Sequence, residues 1–163
     1  MKKLSLKASC LCGGIQLRTH GYHRDVHNCH CVQCTKTHGH YSAYTHIEEQ
    51  NVKFLKKRTL KWFRSSKRAK RGFCKKCGAS LFYKSIGSNI IHIAAGMFNR
   101  PTKLKTTINI FVKGKPDYYK LDNRLPKFNI LFFNICIRCI ITMSFHTLNA
   151  MTVLNISMIP ISF

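Results

Sequence analysis

Acidic residues are scarce in this 163-residue chain: five Asp and Glu stand against 28 Lys and Arg, a formal net charge of +23. None lies between Glu49 and Asp117. Such a balance favours anionic partners, whether nucleic acid, a membrane surface or a small acidic substrate. A solvated basic surface is the simpler reading, because charge alone names no partner. Long apolar runs are also missing. The start MKKLSLKASCLCGG is basic but has no apolar stretch after it, which predicts no secretory signal and a reducing, cytoplasmic setting. No run reaches the roughly 18 apolar residues of a membrane-spanning helix, so no transmembrane span is expected. The nine cysteines are odd in number, which excludes complete pairing within the chain. In a reducing compartment, closely spaced cysteines point to metal or catalysis rather than to disulfides.

Helical periodicity is weak as well. The only tempting helix, around HIEEQ, is short. In its place, up to about residue 128, come short segments that alternate or carry β-branched and aromatic residues: KLSLKA (3–8), GIQLRTH (14–20), YSAYTH (41–46), TLKWF (59–63), ASLFYK (79–84), NIIHIAA (89–95) and TINIFVK (107–113). Ile15 and Leu17 share one face. Glycines such as Gly72, Gly78, Gly87 and Gly96 punctuate the segments. The pattern predicts a small, mostly β domain whose short strands need a metal staple. The basic run NVKFLKKRTLKWFRSSKRAKRGFCKKC interleaves Phe54, Trp62, Phe63 and Phe73 with its charges. It is read as one or two strands with apolar residues inward and Lys or Arg outward; the alternative is a stacking face for nucleic acid.

After Phe128 the composition changes. Residues 129–163 carry one charged residue, Arg138, and show neither strand alternation nor a helical stripe. They are expected to be a tail outside the core. Cys136 and Cys139 form a C-x-x-C there, with no glycine knuckle and no matching second pair, and are not expected to bind metal.

Seven cysteines remain, in three clusters: Cys10-Leu-Cys12-Gly, Cys29-His-Cys31-Val-Gln-Cys34 and Cys74-Lys-Lys-Cys77-Gly. Turns that wrap a metal aim backbone N–H groups at sulfur, and glycine eases the backbone angles required. Cys10, Cys12, Cys74 and Cys77 together would close a four-thiolate tetrahedron, a structural zinc site that ties distant segments and contributes folding energy. Cys29, Cys31 and Cys34 are then left with three thiolates and an open fourth position, the mark of a working site. A nearby histidine, His27, His30, His38 or His40, is the alternative fourth ligand. Seven thiolates and two zinc ions would add −3 to the charge and leave the chain at about +20.

The ordered motifs C-L-C-G-G, C-H-C-V-Q-C-T-K-T-H-G, R-G-F-C-K-K-C-G-A-S-L-F and I-A-A-G-M-F, closing with D-Y-Y-K-L-D-N-R-L-P-K-F, resemble the glutathione-dependent formaldehyde-activating enzyme family, whose domain is shared with centromere protein V. The resemblance covers residues 5–128. It implies a zinc-stapled antiparallel β domain of the Mss4-like, β-tent type, followed by the apolar tail. It implies a structural zinc on Cys10, Cys12, Cys74 and Cys77, and a second, more labile zinc on Cys29, Cys31 and Cys34 as the catalytic set. The implied activity is that of a carbon–sulfur lyase, which reversibly joins glutathione to formaldehyde or a related small aldehyde. The family usually has a basic residue directly after the third cysteine of the triplet; here Thr35 follows and Lys36 comes next, so Lys36 is the candidate contact for a glutathione carboxylate. His40 replaces a residue that is usually small. The rival reading is a basic zinc module that binds nucleic acid or another anion without catalysis; a thiol-reactive redox or metal-storage protein is a third.

Overall fold

The structure is a computed structural model that describes residues 1–129; the expected tail and its Cys136 and Cys139 lie outside the described residues. Eleven strands and one α-helix occur among them. β1 (Lys2–Ser9), β2 (Gln16–His23) and β5 (Val52–Lys56) form a three-stranded antiparallel sheet in the order β1-β2-β5. The remaining strands are β3 (Val26–Cys29), β4 (Ser42–Glu48), β6 (Leu60–Ser66), β7 (Ala69–Cys74), β8 (Ser80–Ser85), β9 (Ile90–Ala94), β10 (Thr106–Ile110) and β11 (Lys127–Phe128). They make an eight-stranded sheet in the order β11-β10-β3-β4-β9-β8-β7-β6. The mostly β expectation holds. The pairings are antiparallel except that β10 runs parallel to both β3 and β11.

The pleat sends alternate side chains to opposite faces, and here the two faces of the large sheet differ in chemistry. One face contributes Ile47 of β4, Phe82 of β8, and Ile91 and Ile93 of β9 to a core shared with Ile15 and Leu17; each is 1% exposed or less. Burying such a side chain stabilises the fold by about 1.5–3 kcal/mol. The other face carries polar and ionisable groups. Register pairs His27 with Tyr44, Cys29 with Ser42, His46 with His92, Tyr83 with His92 and Arg71 with Tyr83. All of these therefore project from the side opposite the apolar core.

The α-helix α1 (Val32–His38) lies within the triplet motif rather than at HIEEQ. HIEEQ divides between the end of β4 and a 3-10 turn, Glu49–Asn51. The sequence VQCTKTH holds weak helix formers, so local propensity does not announce α1. Its ends supply what the interior lacks. Cys31 Sγ accepts the Cys34 N–H at 3.4 Å, and Gly39, at φ 74°, donates its N–H to the Thr35 carbonyl at 2.9 Å. The basic run forms three strands, β5, β6 and β7, rather than one or two. Its apolar residues do not all point inward: on the edge strand β6, Trp62 lies on the apolar face with its ring centroid 6.0 Å from that of Phe82, whereas Phe63, opposite Arg71, is 60% exposed.

Candidate functional site

Two groups of cysteine sulfurs converge in the folded chain. Cys10 and Cys12 sit in the turn after β1; Cys74 ends β7 and Cys77 follows in the next turn. Their four sulfurs all lie within 4.8 Å of one another. Cys12 Sγ is 3.6 Å from both Cys10 Sγ and Cys74 Sγ. Four sulfurs held about 2.3 Å from one zinc ion stand about 3.8 Å apart, so this set has the size of a tetrahedral zinc cage. Backbone geometry supports the same reading. Ile15 N–H donates to Cys10 Sγ at 3.2 Å. Gly13 and Gly78, at φ 68° and 70°, make the tight turns after Cys12 and Cys77. Donors aimed at sulfur favour the thiolate form that a metal requires.

The second group is Cys29, Cys31 and Cys34, again with sulfurs within 4.8 Å of one another. β3 delivers Cys29 at its end, Cys31 caps α1, and Cys34 sits one turn into the helix. Among the described residues no histidine completes this set. The ring nitrogens of the nearest one are engaged elsewhere: His30 Nδ1 lies 2.6 Å from Tyr119 Oη and Nε2 lies 2.9 Å from Asn109 Oδ1. His38 Nε2 meets Tyr44 Oη at 3.1 Å. His40 stacks at 4.2 Å on Tyr119 and 4.6 Å on Tyr41. His27 belongs to the polar face with His46 and His92. The triplet therefore keeps three sulfurs.

Crowded thiols cannot all ionise without a cation. Contact with Cys29, then with Cys31, holds the Cys34 thiol well below its ordinary pKa, helped by Ser42 and the Arg71 guanidinium. The same contacts, with Cys31 first and Cys34 next, push Cys29 far up, and burial adds to the rise. The opposed shifts come from contact between the thiols themselves, and a divalent cation is the group that would let all three ionise together.

Residues beyond the motif complete the surroundings. Arg71 of β7 is 5% exposed and reaches Cys34 Sγ with Nη2 at 3.5 Å. Ser42 is fully buried opposite Cys29. Tyr44, 6% exposed, has its hydroxyl pushed up to about 12 by burial. Gly114 packs on the triplet's own backbone: a Cβ there would stand 3.2 Å from the His30 carbonyl oxygen and 3.3 Å from Cys31 Cα. Sequence reasoning assigned no part in the site to Arg71, Ser42, Tyr44 or Gly114, and read Gly114 only as punctuation between strands. Only Arg71 had a signal, its place in R-G-F-C just before the third cysteine cluster. Lys36 lies exposed on α1, two residues beyond Cys34. No helix among the described residues is long and apolar enough to cross a membrane.

The chain matches the family model described as glutathione-dependent formaldehyde-activating enzyme over residues 5–114. An uncharacterized lyase of Schizosaccharomyces pombe is 25% identical over 126 residues, which span 76% of this chain and 90% of that protein. A crystal structure of a Rhodobacter sphaeroides protein aligns with a TM-score of 0.46 at 18% identity, over 56% of this chain and 85% of that one.

Proposed function

The chain belongs to the glutathione-dependent formaldehyde-activating enzyme family, and from that premise we propose that it is a zinc-dependent carbon–sulfur lyase joining a small thiol, glutathione or a relative, to formaldehyde or another small aldehyde. Cys10, Cys12, Cys74 and Cys77 hold a structural zinc, and Cys29, Cys31 and Cys34 hold a second, exchangeable one. The observation that carries the reading is the difference between the two sulfur sets. One has four mutually close sulfurs; the other has three, and no histidine among the described residues closes it. A three-ligand site leaves a position for substrate.

Zinc bound at the triplet would supply a Lewis acid for an aldehyde oxygen and would favour thiolate over thiol in an incoming substrate. The chain's residues do the rest. Cys29, Cys31 and Cys34 fix the metal at the end of β3 and the first turn of α1. Arg71 supplies positive potential and a donor beside Cys34. In the synthesis direction the substrate's S–H bond breaks, a C–S bond forms at the carbonyl carbon, and the proton ends on the former carbonyl oxygen. Lys36, exposed on α1, is the proposed contact for a glutathione carboxylate. The basic surface raises the local concentration of an anionic thiol, an effect that weakens with salt.

The test is Cys31→Ser. The expected variant folds, retains one zinc of two, and loses thiol-dependent aldehyde turnover by at least about a hundredfold, the scale of a lost catalytic contact. Turnover and zinc content equal to those of the native chain would overturn the assignment.

A further inference from the structure

Among the described residues, Arg71 has no carboxylate to pair with. It is 5% exposed, and its Nε and Nη1 are buried without any hydrogen-bond partner. Its remaining contacts are Gln33 Oε1 at 3.4 Å, Cys34 Sγ at 3.5 Å and the Tyr83 ring, whose centroid is 5.2 Å from Cζ. All five acidic residues lie within the described part, and none approaches it. Asp25 pairs with Lys2, Glu49 with Lys84, and Asp122 with Arg124. Glu48 accepts from Gln50 and Asn51, and Asp117 is exposed. A buried guanidinium without a counter-charge is strongly unfavourable, and an arginine cannot shed its proton to escape. Among the described residues, the sulfurs of the triplet are the candidates for the missing negative charge.

We propose that Arg71 is the fixed counter-charge of the three-cysteine site and positions it for an anionic thiol. Three thiolates around a divalent zinc carry one net negative charge, and Arg71 cancels it. A fourth ligand that arrives as a thiolate then meets a neutral site rather than an anionic one, which lowers the electrostatic cost of binding it. Strand geometry suits this role. Arg71 and Cys74 are three residues apart on β7, so the pleat sends Arg71 toward the triplet and Cys74 toward the core and the four-sulfur set. The closed site clamps the strand that carries the charge for the open one, and Arg71 stays in place when the triplet changes.

The role in substrate binding rests on the lyase reading above; the pairing itself does not, and the test separates them. Thermal melting of the zinc-loaded full chain is compared for the native protein, Cys34→Ser, Arg71→Met and the double variant. Cys34→Ser leaves two thiolates on zinc, a neutral group, and strands Arg71. Arg71→Met is therefore expected to lower the melting temperature of the native chain but raise that of Cys34→Ser. A fall of similar size in both backgrounds means that Arg71 acts by packing alone and overturns the proposal. If Arg71→Met does not fold, Arg71→Lys and Arg71→Gln replace it. The charged variant is expected to keep the second zinc against a chelator at least tenfold longer than the neutral one, and equal release rates overturn the pairing. For the substrate role, Arg71→Lys should bind glutathione with a KM closer to native than Arg71→Gln does, with a smaller difference for a neutral thiol such as 2-mercaptoethanol. Coupling without any turnover would leave the counter-charge standing and remove the lyase reading; turnover without coupling would do the reverse.

Discussion

Cys77 and Cys31 show how the same side chain serves opposite ends at two positions. Cys77 belongs to a complete four-sulfur set that joins the turn after β1 to the turn after β7, more than sixty residues away in sequence. Cys77→Ser should cost about 4 kcal/mol or more, the range for losing a structural metal, and should appear as aggregation or a collapsed melting temperature. Unchanged melting and zinc content would remove Cys77 from the staple. Cys31→Ser should spare the fold, and the contrast between the two variants is what distinguishes a staple from a working site. Gly114 tests the second site without touching a sulfur. Its missing side chain lets the chain lie against the His30 carbonyl and Cys31 Cα. The neighbours are backbone and cannot swing aside, so Gly114→Ala must shift the turn that aims Cys29 and Cys31. The expected cost is about 1–2 kcal/mol from overpacking. Faster loss of one zinc to a chelator should accompany it, while the four-sulfur site holds; equal retention of both ions would show that the turn absorbs the methyl group.

At the scale of elements, the polar face of the large sheet gathers histidines from neighbouring strands. His46 of β4 and His92 of β9 face each other with ring centroids 5.3 Å apart, and Tyr83 of β8 lies 5.3 Å from His92. Arg24, in the connection between β2 and β3, and His27 of β3 complete the set of nearby titratable groups. Burial first, and then Arg24, push His46 down to about 4; burial, Arg24 and His46 push His92 down to about 3. Histidine in an unfolded chain takes up its proton near pH 6.5. From about pH 6.5 down to about 4, the unfolded state therefore binds protons that the native state refuses. The stability present above pH 6.5 is lost as the pH falls. His92 should contribute a loss of up to about 1.4 kcal/mol per pH unit in that window; His46, more open to solvent screening, should contribute less. Urea unfolding at pH 7 and pH 5 checks this with His92→Gln as the reference, since the variant should lose less stability than the native chain between the two. Equal losses would place the pH sensitivity elsewhere, for example in acid release of metal from the cysteines.

For the whole molecule, the family match ends at residue 114, and after Phe128 the sequence keeps a single charge, Arg138, and loses its strand alternation. We propose that residues 129–163 lie outside the core. A chain ending at Phe128 is then expected to keep its zinc and to be at least as soluble as the full chain, as read by metal analysis and by the soluble fraction after heating. Loss of folding on truncation would return those residues to the core.

What the sequence by itself determined is local. The intervals in C-x-C, C-x-x-C and the following glycines depend on the reach of a few consecutive residues around an ion, and such spacing is written directly in the chain. Alternation likewise exposed most of the strands, since the pleat has a period of two. Short or capped elements escaped. β3 has four residues, too few for a pattern, and α1 is held by a thiol cap and Gly39 rather than by helix-forming residues. Tertiary structure decided what depends on strand order. The β11-β10-β3-β4-β9-β8-β7-β6 arrangement carries Arg71 to Cys34, 37 residues away in sequence, and sets His46 against His92. It also gives the large sheet one apolar and one ionisable face. These outcomes follow from long-range pairing and burial, where the cost of an unpaired charge or an exposed isoleucine is settled by neighbours that no short window of sequence contains.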